Sequence, residues 1–178
     1  MGHRQFAAGL AACLLLAVHA NAQKDHPDPL TPAQIEEIRE AGIDPDGRIL
    51  LYAKYVGEHL TEINRLVKRA RSAARSSRLD SELQNVTELT DELGANLDQY
   101  GSRKADIRKA LKKVNEEAPR WLTTLRGLPS DPDYELSRKE AIESDTDLAK
   151  QAAQLLGEQT EYFKEHKDQR GQERAEPN

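Results

Sequence analysis

The chain is poor in the residues that staple or specialise small proteins. Its 178 residues include one cysteine, one methionine, one tryptophan and two phenylalanines, and aromatics make up 4%. The single cysteine, Cys13, sits inside the one long apolar run, Phe6 to Val18. With Arg4 ahead of that run and Ala20-Asn21-Ala22 behind it, residues 1–22 have the charged, apolar and small-x-small regions of a secretory signal peptide. Cleavage after Ala22 leaves a cysteine-free chain of 156 residues, without disulfides, thiolate catalysis or cysteine-ligated metals. Leu10-Ala11-Ala12-Cys13 has the look of a lipobox, which would anchor the protein at Cys13. The apolar run continues through Leu14 to Val18, where a lipoprotein turns polar, so ordinary cleavage is the expectation.

No other stretch offers the roughly 18 consecutive apolar residues of a membrane span, so none is expected in the mature chain. Excess positive charge is missing too. Removing Arg4 leaves 25 basic against 31 acidic groups, a formal charge of −6, which argues against general nucleic-acid binding. The expectation is an exported protein, periplasmic or extracellular. Few aromatic and β-branched residues, set against abundant Ala, Leu, Glu, Lys, Arg and Gln, indicate helix formers.

What is present is helix punctuation and heptads. Residues 23–30 carry two prolines and no period, and read as a flexible leader. Thr31, Pro32 and Gln34 form a capping box with proline at the first helical position, Leu30 and Ile35 make a hydrophobic staple, and Gly42 closes a short first helix. Asp44-Pro45-Asp46 starts a second helix whose seam runs Ile49, Ala53, Val56, Leu60, Ile63, Val67, Ala70, Ala74. The phase breaks there, and Ser76-Ser77-Arg78 reads as the turn of an antiparallel hairpin. A second seam runs from Leu79 to Leu125, in register through Gly101, with Thr90 and Lys104 as polar members and Pro119 as a kink or stop. Asp131-Pro132-Asp133 opens the last helix, whose heptad from Tyr134 to His166 is interrupted at Arg138, Asp145 and Gln159. Residues 168–178 read as a disordered tail. The predicted fold is all-α: an elongated antiparallel bundle of three long coiled-coil-like helices plus a short N-terminal helix, spanning 31–167. Heptads do not fix whether the seams close within one chain or between two, so monomer and homodimer both stand.

Chemistry-bearing patterns are sparse. His26, His59 and His166 lack a carboxylate or histidine at ligand spacing, and no catalytic or phosphate-binding motif is found. Asp44-x-Asp46-Gly47 is a calcium-loop fragment better read as a helix start. Tyr52, Tyr55 and Trp121 fit core positions better than a pocket, and Asn85-Val86-Thr87 matches the glycosylation pattern. No catalytic residue, metal or cofactor is expected. The sharpest charge feature is Arg65, Lys68, Arg69, Arg71, Arg75 and Arg78, six cations with no acid among residues 65–78. They read either as a partner-binding patch or as internal pairs across the hairpin: Arg75 with Asp80, Lys68 with Glu88, Arg65 with Asp91.

Leu30-Thr31-Pro32-Ala33-Gln34 resembles the Leu-Thr-x-x-Gln motif of the Spy and CpxP family of periplasmic helical chaperones and stress modulators. The resemblance covers five residues and implies a small, exported, all-helical protein that cradles unfolded clients. No second copy of the motif, no Met in the mature chain and an acidic net charge depart from that pattern. The reading that follows from the sequence is a non-enzymatic protein-interaction or structural module of the cell envelope or extracellular space. A chaperone of the Spy and CpxP kind is the alternative, and a carrier of a small ligand or metal the second alternative.

Overall fold

A computed structural model describes residues 28–171, so the expected signal peptide, most of the leader and residues 172–178 lie outside the described residues. The described residues form an all-helical fold, with α1 (Pro32–Glu40), α2 (Pro45–Val67), α3 (Ala73–Ser102), α4 (Arg108–Arg126) and α5 (Glu135–Glu165). One 3-10 turn, Ala41–Ile43, follows α1 and another, Lys167–Gln169, follows α5. Among the described residues the long helices number four rather than three, because the stretch expected to run unbroken from Leu79 to Leu125 is divided at residues 103–107.

The division is a Schellman cap without the usual glycine. The Ala105 N–H donates to Tyr100 O at 3.0 Å and the Lys104 N–H to Gly101 O at 3.1 Å, with Lys104 in left-handed backbone at φ 57°. Gly101 has a different task, since a Cβ there would meet Leu155 Cδ1 at 2.9 Å. It lets α3 and α5 approach closely.

α2 packs on α3 and α4, and α5 packs on α3 and α4, whereas α2 with α5 and α3 with α4 form no contacting pair among the described residues. The four helices therefore sit at the corners of a square, with α3 and α4 diagonal. Hydrogen bonds fix the directions. Ser137 to Asp80, Ser144 to Asp91 and Gln151 to Asp98 ascend together, so α5 runs parallel to α3. Arg48 to Asn96 and Arg78 to Glu62 descend against each other, so α2 runs antiparallel to α3. The 103–107 link thus crosses the bundle end diagonally. Gln159, one of the interruptions in the α5 heptad, supports it from within: its amide donates to Ala105 O at 2.7 Å and accepts from Ile107 N at 3.1 Å. Asp46 adds a cap from another helix, accepting from the Ala110 N–H in the first turn of α4 at 2.8 Å.

The core is the set of seams closing on one another within the single chain. Ile49, Val56, Leu60, Ile63, Leu79, Leu83, Leu93, Leu97, Leu111, Val114 and Leu148 are all buried, and so are Tyr52, Tyr55 and Trp121. At roughly 1.5–3 kcal/mol per buried large side chain this layer dominates the stabilisation. α1 lies outside the square against α2. Its capping box forms, with Thr31 Oγ1 accepting from Gln34 N and Gln34 Oε1 accepting from Thr31 N. Gln34 also donates to Glu58, and the buried Tyr55 hydroxyl to Glu37.

Several boundaries differ from expectation. The hairpin turn falls at residues 68–72, not at Ser76-Ser77-Arg78, which are wound into α3 with Ser76 buried. Ser72 takes the cap, accepting from Arg75 N at 3.2 Å, and this strong start outweighs the weak apolar pull of Ala70 and Ala74, which are exposed. Asp44 precedes α2 without making a side-chain cap bond. Asp131-Pro132-Asp133 forms a turn before α5, which begins at Glu135. α4 continues through Pro119 to Arg126, and Gly42 lies inside the 3-10 turn. At the far end, residues 168–171 are held to the bundle: Tyr162 Oη donates to Gln169, Arg170 Nε to Phe163 O, and Gly171 N to Asp106.

Candidate functional site

The basic segment occupies the end of the bundle where α2 turns into α3. Its residues split by role. Glu62 accepts from both Arg65 and Arg78, an ion-pair cluster that joins α2 to α3, and the hydrogen-bonded Arg65 guanidinium holds the Glu62 carboxyl below the ordinary range. Arg75 is buried. One of its terminal nitrogens donates to Arg69 O at 3.1 Å, bracing the 68–72 loop from below, while its Nε has no partner. Ser76 Oγ donates to Asp131, tying this loop to the one between α4 and α5.

Lys68, Arg69 and Arg71 are exposed on the loop, and none of their side chains makes an ion pair among the described residues. The pairs expected across the hairpin do not form. Asp80 accepts from Gln84 and Ser137, Asp91 accepts from Ser144, and Arg65 turns to Glu62 on its own helix. The reason is register: with the turn at 68–72, residue 62 faces residue 78, which places Glu88 and Asp91 far down the bundle from Lys68 and Arg65. Tyr134 lies between the two end loops, its hydroxyl donating to Pro129 O at 2.7 Å. Burial and the charge of Asp131 raise its pKa against the opposing charges of Arg75, Arg71 and Arg138.

A second polar centre joins residues that the sequence reading left apart. His59 Nδ1 meets Glu82 Oε2 at 2.6 Å and Nε2 meets Pro29 O at 3.0 Å. Both partners are acceptors, so only the imidazolium, with a proton on each nitrogen, satisfies both. Burial pulls the His59 pKa down, but the hydrogen bond and charge of Glu82 and the Pro29 carbonyl outweigh it, and the net direction is upward. This contact ties residues 28–30 to the bundle. Beside it, Leu30, Ile35, Ile38, Tyr52 and Leu89 line a cleft of about 420 Å³ between α1 and the α2–α3 face. The Leu-Thr-x-x-Gln residues thus serve as a cap and a wall of this cleft.

A third feature is interior. Asp145 has no exposed surface and neither carboxylate oxygen has a hydrogen-bond partner. Burial pushes its pKa up to about 7, against a smaller opposite pull from Arg126. Thr90, also buried, has an unpartnered hydroxyl. The bond between Ser144 and Asp91, their sequence neighbours, sets both at one level of the α3–α5 pair. Among the described residues no group of three or more His, Cys, Asp or Glu side chains is placed to hold a metal ion, and no helix is long and apolar enough to cross a membrane. His26 lies outside the described residues, and Asn85-Val86-Thr87 is wound into α3 with Val86 buried.

No family model matches the chain, and neither a curated protein nor a solved structure matches it.

Proposed function

We propose that this chain is a non-enzymatic protein-interaction module of the cell envelope or extracellular space, and that the basic end of the bundle docks an acidic surface of a partner protein. The observation that carries the reading is the division of labour among the six cations. Arg65 and Arg78 share the single carboxylate of Glu62 and Arg75 donates to the loop carbonyl of Arg69, while Lys68, Arg69 and Arg71 stay exposed without an ion pair among the described residues. Cations presented on a braced loop raise encounter rates with acidic surfaces and cost little ordering on binding. The signal-peptide pattern of residues 1–22 supports export. Reversing Arg69 and Arg71 to Glu tests the reading. Affinity for the partner should fall at least tenfold with helicity unchanged, and undiminished affinity would count against the basic end.

A chaperone reading, akin to the Spy and CpxP family, is favoured by one observation: the cleft beside Leu30 to Gln34, where Leu30, Ile35, Ile38, Tyr52 and Leu89 form an apolar wall among charged residues and Ile35 is exposed. A chaperone should suppress aggregation of several unrelated clients, and Ile35→Asp should weaken that suppression. Inactivity toward every client at equimolar amounts would end that reading.

A further inference from the structure

α2 and α5 are held in the bundle by unlike means. The buried stripe of α2 includes Ile49, Tyr55, Val56, Leu60, Ile63 and Leu66, all large and apolar. Between Glu135 and Glu158 the buried stripe of α5 is Ser137, Ala141, Asp145, Leu148 and Ala152, with Leu148 its one large apolar member. Burial of an apolar face is the main term that keeps a helix in a bundle, so this stretch of α5 adheres least among the four long helices of the described residues. Its further ties to α3 are hydrogen bonds from Ser137, Ser144 and Gln151 at part-buried or exposed sites, where water is a ready substitute. Beyond Glu158 the helix is anchored again, by Gln159 on the 103–107 link and by the buried Phe163 ring.

Asp145 stands in the middle of that stretch, fully buried, with neither oxygen hydrogen-bonded. At the same level of the α3–α5 pair the Thr90 hydroxyl is also buried and unpartnered, so this seam closes over two polar side chains without satisfying either. Nothing that faces Asp145 compensates its charge. α4 contributes Arg126, exposed and not bonded to it, which draws the carboxyl down less than burial pushes it up. On α3 the nearest acid, Asp91, is taken by Ser144. On α5 itself Ala141 and Leu148 flank it one turn away, and Glu143 and Asp147 are exposed. α2 forms no contacting pair with α5 among the described residues. A carboxylate in this seam gives up hydration for nothing in return, whereas the neutral acid costs far less.

We propose that α5 is a proton-gated cover: with Asp145 protonated it closes the bundle, and with Asp145 ionised its stretch from Glu135 to Ala152 opens while α2, α3 and α4 stay folded, baring the faces of α3 and α4 beneath it. The thin apolar stripe sets which element opens, and the buried carboxyl sets when. The proton comes from and returns to solvent, and its release is favoured in the open state, where the carboxylate is hydrated. The device is independent of the docking assigned to the basic end.

The test is native-state amide exchange of the full chain at pH 6 and pH 8, corrected for the intrinsic rise of exchange with pH. At pH 8 the amides of residues 141–152 should be protected at least tenfold less than those of residues 53–60 in α2, which marks an opening that leaves α2 folded. With a closed-state carboxyl titrating at about 7 and an ordinary one in the open state, protection of 141–152 should fall about tenfold between the two pH values. Asp145→Leu and Asp145→Asn should each reduce that fall to less than twofold, and the two variants together guard against one that packs badly. Equal protection of α5 and α2 at pH 8, no fall with pH in the native chain, or the same fall in both variants would each overturn the proposal.

Discussion

His59 Nδ1 stands 2.6 Å from Glu82 Oε2, a contact between α2 and α3 that leaves the other ring nitrogen facing the carbonyl of Pro29. The pair makes attachment of the N-terminal segment depend on a proton. With the folded pKa raised above 6.5, the contribution of His59 is fully present below that value and is lost as pH rises through the folded pKa. Two-dimensional NMR of the Ile38 methyls should follow the His59 titration. In His59→Gln the Ile38 signals should stop moving over this range. Movement that persists in the variant would show that another group is titrating.

Asp145 predicts a pH dependence in the acid direction. Its carboxyl is raised from 3.8 to about 7 by burial, so the folded state holds a proton that the unfolded chain has released. Stability is therefore lost as pH climbs from about 4 to 7, by up to about 4 kcal/mol for a shift of this size. Asp145→Asn should melt higher than the native chain at pH 8, and the two should converge near pH 3. Parallel melting curves at both pH values would contradict the buried, unpartnered carboxylate.

Lys104 occupies the left-handed C′ position that glycine favours. Lys104→Gly should stabilise the fold by about 0.5–1 kcal/mol. The gain is reduced somewhat by loss of the Lys104 ammonium, which lies 5.5 Å from the centre of the Tyr162 ring. Denaturant unfolding measures it, and a destabilised variant would mean that this ring contact outweighs the backbone effect.

Gln159→Leu removes the acceptor for Ile107 N and the donor to Ala105 O in one step. Each buried backbone group left unpaired costs about 1–3 kcal/mol, so the expected loss is several kcal/mol. Amide exchange should rise first across residues 103–107. A variant as stable as the native chain would assign the support of the diagonal crossing to Asp46 alone.

Legibility in the sequence followed the strength of each local signal. The seams from Ile49 to Ile63 and from Leu79 to Tyr100 were readable because apolar side chains at heptad spacing have no other place to go than a core. The capping box at Thr31 was readable because its two hydrogen bonds are local. The break at 103–107 was hidden because the glycine that suggests a stop, Gly101, serves close helix contact, while the residue at the cap is a lysine. Arg138, Asp145 and Gln159 look alike as interruptions of one heptad. Their partners separate them: Arg138 pairs with Glu135 one turn back on α5, Gln159 supports a loop 52 to 54 residues away, and neither carboxylate oxygen of Asp145 has a hydrogen-bond partner. The basic segment was visible as composition. Which of its cations remain exposed depended on a turn displaced by several residues.

The exposed cations of the α2–α3 loop carry the proposed docking of an acidic partner. Site-specific photo-cross-linking in the producing cells, with the reactive side chain at position 69 or 71 and a control at position 161 at the opposite end of the bundle, addresses them directly. A single dominant adduct from 69 and 71 that is absent from 161, and is lost when Lys68 is reversed to Glu, is the predicted result. Adducts of equal yield and identity from both ends, or none from the loop, would contradict it.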